Sequence, residues 1–155
     1  MPLSVDRAKF KSDFWFQHAV YEQLRAKAKR LTGDEWDLAL SESRLKPAEF
    51  DALVILMFVY SWDNNGRFID TVRWYEDHFE QVDRAFRRFG FNTASLLMPR
   101  ALELYAMQEP YYAADLPLPA DVEAETDRVN EAASADVSDE RLTRAIVARA
   151  AEFDV

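Results

Sequence analysis

The sequence predicts an all-α protein, a single compact domain of six to eight helices over residues 1–155. Three observations carry that expectation. Apolar residues recur at three- and four-residue steps along most of the chain, the period of an amphipathic helix. The stretch best suited to a hairpin, Asn65-Gly66, has flanks without the strict apolar–polar alternation of strands. The chain holds only three glycines, and each stands where an apolar-periodic segment ends, as a helix stop does.

Taken in order, the first helix is expected from about Ser12 to Leu31, with Phe14, His18, Tyr21 and Leu24 at helical steps. Lys27, Lys29 and Arg30 followed by Gly33 form its stop. A short acidic helix from Asp34 to about Ser41 comes next. Pro47 suits a first helical position, and Phe50, Leu53, Val54, Met57 and Phe58 make one apolar face. That helix is apolar nearly all round from Leu53 to Tyr60, which places it at the centre of the core. Asn64-Asn65-Gly66 ends it, since Asn and Gly tolerate the left-handed backbone. Phe68, Val72 and Tyr75 define the next helix. Phe79, Val82, Phe86 and Phe89 define another, stopped by Arg87, Arg88 and Gly90. Asn92 or Thr93 can cap a helix carrying Leu96, Leu97, Ala101, Leu104 and Tyr105, which Pro99 should kink or divide. Glu109 to Pro119 reads as a loop, with three prolines. Two acidic helices over 120–155 complete the chain. Ser138 can cap the last one, Val137 and Leu142 can staple it, and Leu142, Ile146, Ala150 and Phe153 form its apolar stripe.

With 49% apolar and 14% aromatic residues, the chain can bury a substantial core. No apolar run reaches the ~18 residues of a membrane span, and Met1 to Trp15 lacks the apolar centre of a secretory signal. Cysteine is absent, which removes thiol chemistry and fits a cytoplasmic location. A net charge of −9 disfavours direct binding of nucleic acid. The charge is also polarised. Residues 1–33 carry seven basic and three acidic groups, whereas residues 117–155 carry ten acidic and four basic ones.

The sequence carries few residue patterns suited to chemistry. His18 and Glu22 are four apart, as helical metal ligands can be, but one such pair reads as packing. His78 lies two residues from both Glu76 and Glu80, which puts those side chains on different helix faces. There is no H-E-x-x-H, phosphate loop, glycine fingerprint or nucleophile elbow. Asp63 and Asp70 flank the Asn-Asn-Gly turn and read as solvated acids rather than as an acid–base pair. No cofactor and no metal is called for. The acidic end is more informative. Between Asp121 and Glu140 lie eight acids and one base. On a helix Glu123, Asp127 and Glu131 share a face, with Asp121 and Glu125 nearby. Each four-residue step advances about 6 Å along a helix, against ~3.4 Å per phosphate on one DNA strand, so the stripe matches every second phosphate.

Residues 45–105 resemble a family of small bacterial proteins that includes a DNA-mimic protein. The resemblance rests on Leu45-Lys46-Pro47-Ala48-Glu49 and on the turn Asn64-Asn65-Gly66-Arg67-Phe68. Ala85 to Gly90, then Ala94-Ser95-Leu96-Leu97 and Ala101-Leu102, continue it. Arg67 stands where the family has a second glycine, Lys46 replaces a capping hydroxyl, and Asp70 replaces a glutamine. The turn itself reads as structural, with Trp62 and Phe68 packing on either side of it. The resemblance implies a non-enzymatic acidic protein that occupies the DNA-binding face of a transcription factor or nucleoid protein, through Asp121, Glu123, Glu125, Asp127 and Glu131. Two other readings remain: a toxin-neutralising immunity protein, and a small enzyme with a pocket near Trp62, Asp63, Asn64 and His18.

Overall fold

The structure is a computed structural model that describes residues 6–154. Among the described residues it is all-α, with eight α-helices, three 3-10 turns and no strand. Nor is any described helix long and apolar enough to cross a membrane. The chain forms two compact units: one takes the chain up to Met57 and from Asp139 onward, the other takes Phe58 to Ser138.

In the first unit, α1 (Asp13–Thr32) begins where Ser12 accepts the Trp15 N–H and ends on Gly33 at φ 82°. Its buried face is Phe16, Gln17, Val20, Tyr21, Leu24 and Ala28. This corrects the expected stripe at its start, because Phe14 is 44% exposed and His18 is half-buried. Phe14 instead stacks on His18 with centroids 6.2 Å apart, so those rings cover one another rather than entering the core. Helix α2 (Leu38–Arg44) starts later than Asp34, because Asp34 accepts from the Trp36 N–H in a local turn and Asp37 caps Leu40 instead. Gln17 joins α1 to α8 (Asp139–Ala148) by donating to the Asp139 carbonyl at 3.0 Å and the Thr143 hydroxyl at 3.1 Å. Leu142, Ile146 and Phe153 are buried, as their stripe predicts.

Helix α3 (Pro47–Asn65) gives its first half to this unit and its second half to the other. Every residue from Ala48 to Val59 is buried, so its apolar circumference is used in full; Tyr60, at 48% exposure, is where that stops. Glu49 accepts the Lys46 N–H at 3.0 Å. That is the reciprocal half of a capping box, and it secures the helix start without a hydroxyl at Lys46.

In the second unit, α6 (Asn92–Ala113) packs against α4 (Phe68–Trp74), α5 (Phe79–Arg88) and α7 (Ala120–Asp136). Phe58 lies at the aromatic centre, with ring centroids 5.9 Å from Phe68, 5.5 Å from Tyr75 and 5.2 Å from Phe86. Two helix starts are capped from α7. Asn130 accepts the Ile69 N–H at 3.2 Å, and Asp136 accepts the Ala94 N–H at 2.8 Å. The second replaces the local cap expected from Asn92 or Thr93, and Phe91 sits at the N-cap without a side-chain bond.

Helix α6 also corrects two expectations. It runs unbroken through both Pro99 and Pro110, so the loop shrinks from Glu109–Pro119 to the residues after Ala113. Both prolines are exposed, so their rings lie on the outer face, where water can satisfy the carbonyls they free. And Leu96, expected on the apolar face, is 79% exposed. The packed face is Ala94, Ser95, Met98, Ala101, Leu104 and Gln108.

Candidate functional site

Helix α7 is amphipathic by construction. Val122, Thr126, Val129, Ala133 and Asp136 are buried. Glu123, Asp127 and Glu131 lie at four-residue steps on the outer face, all exposed. The side chains of these three and of Asp121 bond to no other described residue. They share no cation that would hold them in place, so their charge is directed at solvent.

Glu125 differs. It accepts from Arg100 Nε at 2.8 Å and Nη2 at 2.6 Å, and Arg128 approaches to 3.7 Å. The Arg100 hydrogen bonds hold its carboxyl below the usual carboxylate range, and the nearby positive charges assist. Arg100 also bonds Glu103 at 2.7 Å. Of the five acids singled out in the sequence, three therefore form one unpartnered stripe. Asp121 is exposed on a different side of the helix, and Glu125 belongs to an ion-pair cluster between α6 and α7.

The Asn64–Gly66 turn is built as its residues imply. Gly66 adopts φ 80° and donates to the Trp62 carbonyl at 2.7 Å, while the Asn64 amide donates to the Tyr60 carbonyl at 3.0 Å. Arg67 follows at φ −132°, an extended conformation that needs no second glycine. Trp62 and Phe68 pack across the turn with centroids 5.1 Å apart.

Beside the turn, Arg67 organises a polar network. Its Nη2 donates to Gln108 Oε1 at 2.8 Å and to Asp70 Oδ1 at 3.0 Å, its Nε lies 2.9 Å from Asp70 Oδ2, and its Nη1 donates to the Tyr112 hydroxyl at 2.8 Å. Gln108 is fully buried and donates in turn to Thr126 on α7. Asp70 is thereby oriented by Arg67, which leaves it unsuited to pairing with Asp63 as an acid–base couple. Next to this network, Asn65, Asp70, Arg73, Trp74 and Tyr105 line an open cleft of about 580 Å³.

The remaining sequence candidates are dispersed. Glu22 accepts from Arg25 at 2.9 Å, and His18 lies against Phe14 and Trp15. His78 closes the 3-10 turn Glu76–His78. Among the described residues, no group of three or more His, Cys, Asp or Glu side chains is arranged to hold a metal ion. The cleft lies beside the turn where a pocket near Trp62, Asp63, Asn64 and His18 was expected, but its lining is Asn65, Asp70, Arg73, Trp74 and Tyr105, and the Arg67 network next to it was not expected from the sequence. One signal was present: Trp74 falls off the Phe68–Val72–Tyr75 face, where an aromatic residue has no core to enter.

No family model, curated protein or solved structure matches the chain.

Proposed function

We propose that the chain is a non-catalytic interaction protein that uses an acidic helix face to occupy the basic surface of a protein partner. The partner class that suits this face is a DNA-binding protein, either a transcription factor or a nucleoid protein. One observation carries the reading: the side chains of Glu123, Asp127 and Glu131 stand exposed and without partners among the described residues on one face of α7. Carboxylates repeating every ~6 Å along a helix suit Lys and Arg side chains arranged to meet phosphates. Complementary fields then raise the rate of encounter. The net charge of −9 acts in the same direction, and the likeness of residues 45–105 to a DNA-mimic family supports the same partner class.

The test is a pull-down from the source cell's lysate at low and moderate salt, with and without competing duplex DNA. A DNA-binding protein retained by the native chain, released by DNA, and lost from the Glu123→Gln/Asp127→Asn/Glu131→Gln variant is the expected result. Retention that ignores both the DNA and the substitutions would rule the reading out.

A further inference from the structure

The cleft beside the Asn64–Gly66 turn is lined by three side chains without polar or ring-stacking partners on their functional groups, Asn65, Trp74 and the hydroxyl of Tyr105, among the described residues, and by the ion-paired Asp70 and Arg73. Trp74 is 78% exposed, and its indole makes no ring, cation or hydrogen-bond contact with any described residue. It ends α4, fixed in place by a helix whose opposite face is packed. A bare indole is a stacking surface for a flat ring or a cation. The Asn65 amide and the Tyr105 hydroxyl are likewise without partners among the described residues, and each can both donate and accept. Asp70 accepts from Arg67 and keeps further lone pairs. Arg73 lies over the Tyr105 ring at 5.7 Å and bonds Glu76 through one nitrogen at 2.6 Å, which leaves other N–H groups free to donate.

The charge of this lining decides the ligand class. Asp70 is paired with Arg67 and Arg73 with Glu76, so the lining carries one acid and one base, each already balanced. An anionic ligand would meet Asp70, and a cationic one would meet Arg73, so each carries a like-charge penalty. A neutral flat ring with donors and acceptors on its edge carries neither. We propose that the cleft is a binding site for a purine nucleoside. The base stacks on Trp74, and its edge is read by the Asn65 amide, a side chain whose paired donor and acceptor match adenine. Arg73 and Tyr105, with the guanidinium over the ring at 5.7 Å, complete the lining. The volume of about 580 Å³ lies within the usual range of ~300–1,000 Å³ for small-molecule sites. The inference stands apart from the α7 reading and uses none of its residues.

The test is a ¹H–¹⁵N NMR titration of the full chain with adenosine, alongside cytidine, agmatine and inorganic phosphate. Adenosine is expected to move the Trp74 indole and Asn65 amide resonances saturably. Trp74→Ala should weaken that binding by about ten-fold, and Trp74→Phe should retain most of it. Because Trp74 is exposed, both variants keep the native circular dichroism spectrum. Asn65→Ala should narrow the difference between adenosine and cytidine. The assignment is overturned if adenosine gives no saturable shift at millimolar concentration. It is equally overturned if the binding survives Trp74→Ala, or if agmatine or phosphate binds more tightly at the same resonances.

Discussion

The ammonium of Lys27 lies 2.7 Å from Oε2 and 3.0 Å from Oε1 of Glu49, a carboxylate with no exposed surface. The same carboxylate accepts the N–H groups of Lys46 at 3.0 Å and Asp154 at 3.1 Å, and Lys27 also donates to the Asp154 carbonyl. One buried acid thus ties α1, the start of α3 and the C-terminal segment together. Among the described residues, its donors Lys27, Lys46 and Asp154 all belong to the first unit.

Removing one partner of a buried pair strands the other, which typically costs ~3–5 kcal/mol. Lys27→Met is expected to lose stability in that range by urea denaturation. Lys27→Met/Glu49→Gln should lose less than the two single variants summed, because the charge to be stranded is gone. A loss below ~1 kcal/mol in Lys27→Met, the scale of a surface pair, would mean that Glu49 does not depend on the ammonium.

The Arg100–Glu125 contact carries an acid-range prediction. Hydrogen bonds from Arg100 lower the native Glu125 value, so the native state binds this proton less readily than the unfolded chain does. The stability it contributes is complete above the unfolded value of ~4.3 and is lost as pH falls through the lowered native one. Unfolding free energies of the native chain and Glu125→Gln, compared from neutral pH to about pH 2.5, should therefore converge at the acid end. A constant gap across that range would contradict the contact.

Tyr75 behaves oppositely at the alkaline end. Burial raises its hydroxyl above the ordinary value, against the effect of its 2.9 Å bond with Ser61. The protonated form is the native one. Stability from this group is complete below ~10 and falls as pH rises, because the unfolded chain ionises first. Tyr75→Phe should cost about 1 kcal/mol at neutral pH through the lost hydrogen bond, and it should lose stability less steeply above about pH 10. Spectrophotometric titration of the phenolate absorbance checks the first-order claim directly.

The stripe on α7 predicts little effect on folding. The side chains of Glu123, Asp127 and Glu131 bond to no described residue, so neutralising all three should change stability by under ~0.5 kcal/mol, as for other surface sites away from special features. Relief of like-charge repulsion at four-residue spacing works in the stabilising direction. A large loss in thermal unfolding would show that the stripe serves the fold rather than a partner.

Helix ends that use local chemistry were legible. Ser12 and Gly33 bound α1, Pro47 opens α3, and Gly66 closes the turn, because each acts through its own backbone or a neighbour within a few residues. Starts capped across the fold were not legible. Nothing near Ala94 names Asp136, and nothing near Ile69 names Asn130. Proline misled at position 110 because its cost depends on whether the carbonyl it frees faces water, and that is a property of the packed helix. The α7 stripe could be read from spacing alone, but the diversion of Glu125 to Arg100 could not, since the partners are on different helices.

The sequence by itself determined the all-α class, most of the helices, and the acidic exposed face of α7. Periodicity and composition encode these directly, one residue at a time. The tertiary structure alone decided which acids keep their charge for solvent, how α6 continues past two prolines, and that Asn65, Trp74 and Tyr105 line one cleft. Each of those outcomes depends on side chains far apart in the chain being brought within a few ångströms, and hydrogen-bond and ion-pair energies are set at that range.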